Sequence, residues 1–177
     1  MSLARLRALI IVGVLVVCAT VLVAVTILKD RQTSFDATES CAAGAIPVNV
    51  GLPDKNEELK LKMINGTDSP GLAAQVAEDF RSRKVTIVAE ANEKVPKPQF
   101  VAQIRYGPKV VGMAWYTNAF FFNQGTLLFD PNRKEDTIDV VLGTDFKQLG
   151  STTEVNQSLA AAGKPRLPPG TCDGKAR

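Results

Sequence analysis

Residues 8–28 read ALIIVGVLVVCATVLVAVTIL, 21 residues without a charge or a proline. As a helix rising about 1.5 Å per residue, the run reaches about 31 Å, close to the roughly 30 Å hydrocarbon core of a bilayer. It predicts a single membrane-spanning helix. Arg5 and Arg7 precede it, and Lys29, Asp30 and Arg31 follow. The flanks alone set only a slight orientation bias. An inside N-terminus is expected because the seven leading residues contain no acid and every longer segment lies beyond the helix. A cleaved leader would carry an apolar region of about 7–15 residues followed by a small-x-small site. This run is longer and no such site follows. Lipid attachment at Cys18 fits poorly, because Val17 is not small and ten mostly apolar residues come after it. A retained anchor is the expectation.

The remaining chain is long enough for one modest domain. The formal net charge is +3; setting Arg5 and Arg7 aside leaves 19 Lys+Arg against 18 Asp+Glu. So balanced a body has no long-range field for collecting nucleic acid, and none is expected as a partner. The chain has no histidine, which excludes Ser-His-Asp and Cys-His machinery and histidine metal sites. Cys18 reads as a small apolar residue in lipid. Cys41 and Cys172 flank the folded region on one side of the membrane. In an oxidising compartment they would close a loop of about 130 residues, worth about 4–5 kcal/mol in the chain-entropy model. Two unpaired thiols in loose flanks is the alternative, and the sequence leaves it open.

The expected divisions are 1–7, a cytoplasmic N-terminus; 8–28, a transmembrane helix; 29–56, an extracytoplasmic linker; 57–147, the folded domain; and 148–177, a flexible tail. Residues 57–64 alternate, with Leu59, Leu61 and Met63 opposite Lys60 and Lys62, which predicts a half-buried strand. After Asn65-Gly66, Ser69 suits an N-cap and Pro70 a first helical position. Leu72, Val76 and Phe80 then form the apolar stripe of a helix to about Arg83. Strands are predicted at 85–89 and 100–106, a helix at about 109–122, and strands at 126–129 and 137–142. The order β-α-β-β-α-β-β implies an α+β fold, a small sandwich with two helices on one face of a small mixed sheet. Beyond Phe146 the periodicity fades.

Residues 63–83, MINGTDSPGLAAQVAEDFRSR, resemble the opening of the LytR C-terminal domain family, where a strand ending in Asn-Gly-Thr precedes a Pro-Gly-Leu-Ala-Ala helix. Residues 137–146, TIDVVLGTDF, are similar to its closing strand. In that family the domain often trails a catalytic domain that transfers polymers to peptidoglycan. This chain has no room for one and shows no arginine-rich pyrophosphate site, so the resemblance implies a stand-alone, non-catalytic module. The departure is the second helix. Many members have an Ala/Leu-rich helix ending in glycines, whereas this chain has VGMAWYTNAFFFN at 111–123.

Candidate sites are few. The loop Asn65, Gly66, Thr67, Ser69 and Gly71 joins a strand to a helix N-terminus, where free N–H groups can hold an anion. It lacks phosphate-loop spacing, and Asp68 would repel an anion, so turn chemistry also accounts for it. On the second helix, Val111, Trp115, Asn118 and Phe122 share the expected core side. Met113, Tyr116 and Phe120 cluster opposite and are candidates for contact with an envelope protein or polymer. Alternatively, that end tucks under the linker or tail. The acidic pairs Glu57-Glu58 and Glu135-Asp136 read as solvated charges. No catalytic or metal constellation is found, and no cofactor is expected. The leading expectation is a non-catalytic, membrane-anchored binding or scaffold protein supporting cell-envelope integrity, with cell-wall polymer or envelope proteins as partners. A carboxylate-based wall-polymer transferase or hydrolase, and a complex subunit acting through its membrane helix, are the alternatives.

Overall fold

The alternation at the start of the folded region becomes strand β2, Lys60–Asn65: Leu61 and Met63 are fully buried, while Lys60 and Lys62 face the other way. Leu59, also buried, lies just before it, after a 3₁₀ turn at Asn56–Glu58. The computed structural model describes residues 7, 12–14, 16–21 and 41–174. Residues 1–38 and 39–177 separate into two units. In the first, 12–14 and 16–21 are helical. Among the described residues no helix is long and apolar enough to cross a membrane. The spanning helix expected over 8–28 lies mostly outside those residues, as does 29–40 of the expected linker.

The second unit holds two βαβ halves. In the first, β2 leads through α1 (Leu72–Ser82) to β3 (Thr86–Asn92), which lies parallel to β2. In the second, β4 (Ala102–Tyr106) leads through a 3₁₀ turn (Pro108–Val110) and α2 (Val111–Ala119) to β5 (Thr126–Phe129), parallel to β4. Strand β6 (Ile138–Leu142) inserts between the halves, parallel to β2 and antiparallel to β4, giving the order β3-β2-β6-β4-β5. The α+β class, the mixed sheet and the element order match expectation. One face carries Leu61, Met63, Ala102, Ile104, Ile138, Val140 and Leu142 into a core shared with Val76 and Phe80 of α1 and with Val111 and Ala114 of α2.

Both helices end on left-handed residues that are not glycine. Lys84, φ 65, closes α1 with Val85 N–H donating to Phe80 O at 3.0 Å and Lys84 N–H to Arg81 O at 2.8 Å. Phe122, φ 55, closes α2 in the same way, with Asn123 N–H donating to Asn118 O at 3.0 Å. The regular part of α2 therefore stops short of the expected residue 122. At the other end of α1, Ser69 is not the N-cap. That position is Gly71, φ 77, without a side-chain cap.

The flanks differ most from expectation. Instead of a loose tail, Thr152–Ala162 forms helix α3, started by a capping box in which Ser151 and Glu154 exchange hydrogen bonds. Val155 is buried, Gly150 N–H donates to Phe120 O at 2.8 Å, and Asn123 Nδ2 donates to Ser158 O at 2.8 Å, which seats α3 beside α2. Strand β7 (Thr171–Asp173) pairs in parallel with β1 (Ile46–Val48), within the expected linker. Cys41 and Cys172 are disulfide-bonded, their Cα atoms 5.6 Å apart. The linker then crosses α2 so closely that a Cβ on Gly112 would lie 2.3 Å from the carbonyl oxygens of Val50 and Gly51.

That contact gives a direct test. Gly112→Ala must push the 49–51 backbone off the helix, breaking the bond from Gly112 N–H to Asn49 O at 3.0 Å. The expected cost is about 2–3 kcal/mol, read as a lower urea midpoint. An unchanged midpoint would mean that this segment does not rest on α2.

Candidate binding cleft on the open face of the sheet

The face of the sheet turned away from the helices is ionic at one end and apolar at the other. At the apolar end Ile64 and Val141 are buried, and Val95 of the loop after β3 approaches there, with its Cγ2 3.1 Å from where a Gly66 Cβ would lie. At the ionic end, register places Lys62 of β2 and Arg105 of β4 on either side of Asp139 of β6. A cation, an anion and a cation therefore stand in a row across the three central strands.

Arg133, from the β5–β6 connection, folds back over this row. Its Nη2 donates to Asp139 Oδ1 at 2.7 Å and to Thr137 Oγ1 at 3.3 Å, and its Nε lies 3.7 Å from Glu135 Oε2. Gly107 permits this approach, since a Cβ there would sit 2.5 Å from the Arg133 carbonyl oxygen. The side chains of Arg133 and Asp139 are only 15% and 17% exposed, so their attraction is screened far less than that of a surface pair. The Asp139 hydrogen bond holds the Arg133 guanidinium pKa above its ordinary value, against desolvation. Arg105 grips Glu93 with two bonds, 2.8 and 2.9 Å, which lowers the Glu93 carboxyl; Lys62 adds to the lowering through space. At the rim, Lys60 meets Asp136 at 2.6 Å.

Between these groups lies a cleft of about 560 Å³, lined by Lys62, Asp130, Asn132, Arg133, Glu135, Thr137 and Asp139. It can hold a ligand by charge and hydrogen bonds. Its acids are poorly placed for acid–base work. Asp139 is neutralised by Arg133, and Asp130 Oδ1 accepts Asn132 N–H at 2.9 Å in the turn. Among the described residues no cluster of three His, Cys, Asp or Glu is placed to hold a metal.

Apart from the acidic pair Glu135, in the cleft lining, and Asp136, at its rim, the residues singled out from sequence lie elsewhere. The Asn65–Gly71 loop satisfies itself: Asn65 Oδ1 accepts from Thr67 N–H and Oγ1 at 3.0 and 2.8 Å, and Asn65 Nδ2 donates to Ser69 O at 2.7 Å. Turn chemistry accounts for the loop. Phe120, expected on a partner-facing side, is buried in an edge-to-face contact with Phe80, with centroids 5.2 Å apart. Met113 and Tyr116 are half-buried, and the Tyr116 hydroxyl donates to Asn56 Oδ1 of the linker at 3.0 Å. Burial also raises the Tyr116 pKa. The trio is thus not a free surface: Phe120 is buried beside the start of α3, Tyr116 is tied to the linker, and Met113 packs against the core, close to the alternative the sequence had left open. Of the opposite set, Val111 and Asn118 are buried, while Trp115 and Phe122 are half-buried. Glu57 and Glu58 are exposed in the 3₁₀ turn.

Sequence reading missed the cleft. Its signal is a charge on the outward-facing side of each of three strands, Lys62 (with Lys60) in β2, Arg105 in β4 and Asp139 in β6, but only the strand order shows that they meet.

Comparison with known proteins gives three findings. Residues 58–146 match the LytR C-terminal domain family, described as LytR cell envelope-related transcriptional attenuator. A curated relative, the cell envelope integrity protein Cei of Mycobacterium tuberculosis, is 26% identical over 132 residues. That match covers 67% of this chain, and the chain spans 60% of the relative's length. The soluble domain of a conserved hypothetical secreted protein from Mycobacterium marinum superposes with a TM-score of 0.48 at 24% identity, covering 75% of this chain and 86% of that one.

The ion pairs predict an acid limb in stability. Glu93 and Asp136 are held below their ordinary 4.5 and 3.8, as is Glu154 in the capping box. A carboxylate whose pKa falls on folding stabilises fully above its unfolded value and loses that contribution as pH falls through the folded value. Stability should therefore stay level at neutral pH and decline below about 4.5. Glu93→Gln should flatten the decline and cost less than about 1 kcal/mol at neutral pH. Urea midpoints across pH measure both; an unchanged acid slope in the variant would contradict the assignment.

Proposed function

The chain belongs to the LytR cell envelope-related transcriptional attenuator family, and from that premise we propose that it is a non-catalytic binding or scaffold protein of the bacterial cell envelope. In this reading residues 8–28 anchor it in the membrane and the body beginning at residue 39 works outside the cytoplasm. The observation that carries the location is the Cys41–Cys172 disulfide. Such bonds persist in oxidising compartments and are rare in a reducing cytosol. The uncharged run supports the anchor by its length. Similarity to the cell envelope integrity protein Cei supports the setting.

Binding rather than catalysis is favoured by the chemistry of the cleft. The chain has no imidazole, and Asp139, the least exposed acid there, is spent on Arg133. A carboxylate-based transferase or hydrolase would need two acids free to exchange protons. Tethering supplies the mechanism: a recognition domain confined near the membrane meets envelope components at a high effective concentration, so weak contacts suffice. Loss of the chain should sensitise cells to wall-directed stress. The intact protein should restore resistance, and a form lacking 8–28 should not.

The disulfide gives a second test. Non-reducing peptide mapping of protein recovered from the envelope should find Cys41 and Cys172 in one linked species. Cys172→Ser should lower stability by up to about 4–5 kcal/mol, the entropy of a loop spanning 131 positions. Two free thiols in the recovered protein would remove the extracytoplasmic assignment.

A further inference from the structure

We propose that the open-face cleft binds a short peptide segment carrying both a free amine and a free carboxylate. The inference rests on the binding reading above and names the ligand class for it. Its basis is the way charge is divided inside the cleft. On the strand floor, Lys62 is half-buried and forms no direct ion pair among the described residues. On the loop side stand two acids, Asp130 and Glu135, both exposed. Arg133 and Asp139 lie with them and cancel one another at 2.7 Å. The least engaged charges are thus one cation on the floor and, at the rim, Asp130, held in its turn by the Asn132 N–H, and Glu135, in only a long 3.7 Å contact with Arg133.

That division selects against simpler ligands. A plain anion drawn to Lys62 would meet Asp130 and Glu135, and a plain cation drawn to the rim would meet Lys62. A molecule with a carboxylate at one end and an ammonium at the other satisfies both, and like-charge juxtaposition rejects the rest. Between the charges, Asn132 and Thr137 offer an amide and a hydroxyl, suited to the peptide group that joins two such ends. No aromatic side chain lines the cleft, so the stacking platform on which a sugar ring would rest is missing.

The arginine shows that the loop side is incompletely satisfied. Arg133 Nε is buried without a hydrogen-bond partner, and the Glu135 carboxylate stands off at 3.7 Å. A ligand amine drawing Glu135 inward would let that missing bond form. The volume, about 560 Å³, is within the range of small-ligand sites. An open, polar cleft gives weak binding, with a Kd of about 0.1–10 mM, which membrane confinement would raise in effect.

The test uses the full chain, isotopically labelled in detergent micelles and titrated with an N-acetylated lysyl-alanyl-alanine tripeptide that keeps its side-chain amine and terminal carboxylate. Amide shifts are expected to concentrate at 60–65, 130–137 and 138–142. Capping either the carboxylate or the amine should weaken binding about tenfold. Lys62→Gln should erase the preference for the free carboxylate, and Glu135→Gln the preference for the free amine, with unfolding midpoints near that of the parent. Absence of shifts at about 10 mM, equal binding of the capped peptides, or stronger shifts from a chitin trisaccharide would overturn the proposal. Any of those results would leave the envelope role standing, since loss and restoration of stress resistance in cells read that role separately.

Discussion

Strand β6 is the piece on which the rest depends. Each βαβ half can bury one side of its own two strands, but two-stranded sheets are marginal in water. The last strand of the matched region joins them, running parallel to β2 on one side and antiparallel to β4 on the other. Val140 and Leu142 enter the core beneath the helices, and Val141 is buried on the opposite face. A strand that buries apolar side chains on both faces, with Asp139 on the open face paired to Arg133, belongs in the middle of a sheet. Its pairing with β2 spans some seventy residues of chain, so much of the fold's loop-closure entropy is spent in placing it.

Once β6 is in place, the flanks have something to close upon. Asn49 N–H donates to Pro108 O at 2.8 Å at the head of the second helix, and the chain then passes over Gly112. From the other end, α3 packs beside the aromatic close of α2, and Arg83 donates to Gly150 O while its guanidinium lies 5.7 Å over the Phe120 ring. Beyond α3 the chain returns to pair β7 with β1, where the disulfide locks the two. Residues 41–56 of the linker and 148–174 of the tail are therefore parts of the domain's shell. This also explains a helix apolar all round: α2 lies between the sheet, the linker and α3, and only Met113, Trp115 and Tyr116 on it stay partly exposed.

How far this was legible follows from the range of each signal. Strands β2 and β6 and helix α1 announce themselves locally, by period-two alternation, an apolar run and a 3.6-residue stripe. Helix α3, expected as a flexible tail, carries a local signal in Ser151 and Glu154 at capping-box spacing, but its buried stripe is only Val155 and Leu159 among alanines, too thin to register as periodicity. The end of α2 misled because Phe122 occupies a left-handed cap where glycine is usual, whereas α1, with Lys84 in a similar cap, ends at Ser82, close to the expected Arg83. The cleft was beyond local reading. Nothing near Lys62 in sequence says that Asp139 will lie beside it, because that neighbour is set by strand order. The disulfide stands between these cases: two cysteines in the flanks suggest it, but only the β1–β7 pairing brings them within bonding range.

The two faces of the sheet divide the labour. The dry face, with its fully buried Phe80, Phe121, Leu61 and Met63, supplies most of the stability, since each such side chain is worth about 1.5–3 kcal/mol when removed from water. The ionic face supplies little. Its rim pair Lys60–Asp136 is about half exposed and belongs to a class worth about 0–1 kcal/mol. Even the better-buried Arg133–Asp139 pair roughly repays its own desolvation, so that removing one partner costs more than the pair contributes. An arrangement near neutral for stability still fixes where each charge points. The fold therefore holds Arg133 and Asp139 against one another and leaves Lys62 without a direct ion pair among the described residues and Glu135 in only a long, exposed contact with Arg133, so these two can turn to a ligand without drawing on the interactions that keep the domain folded.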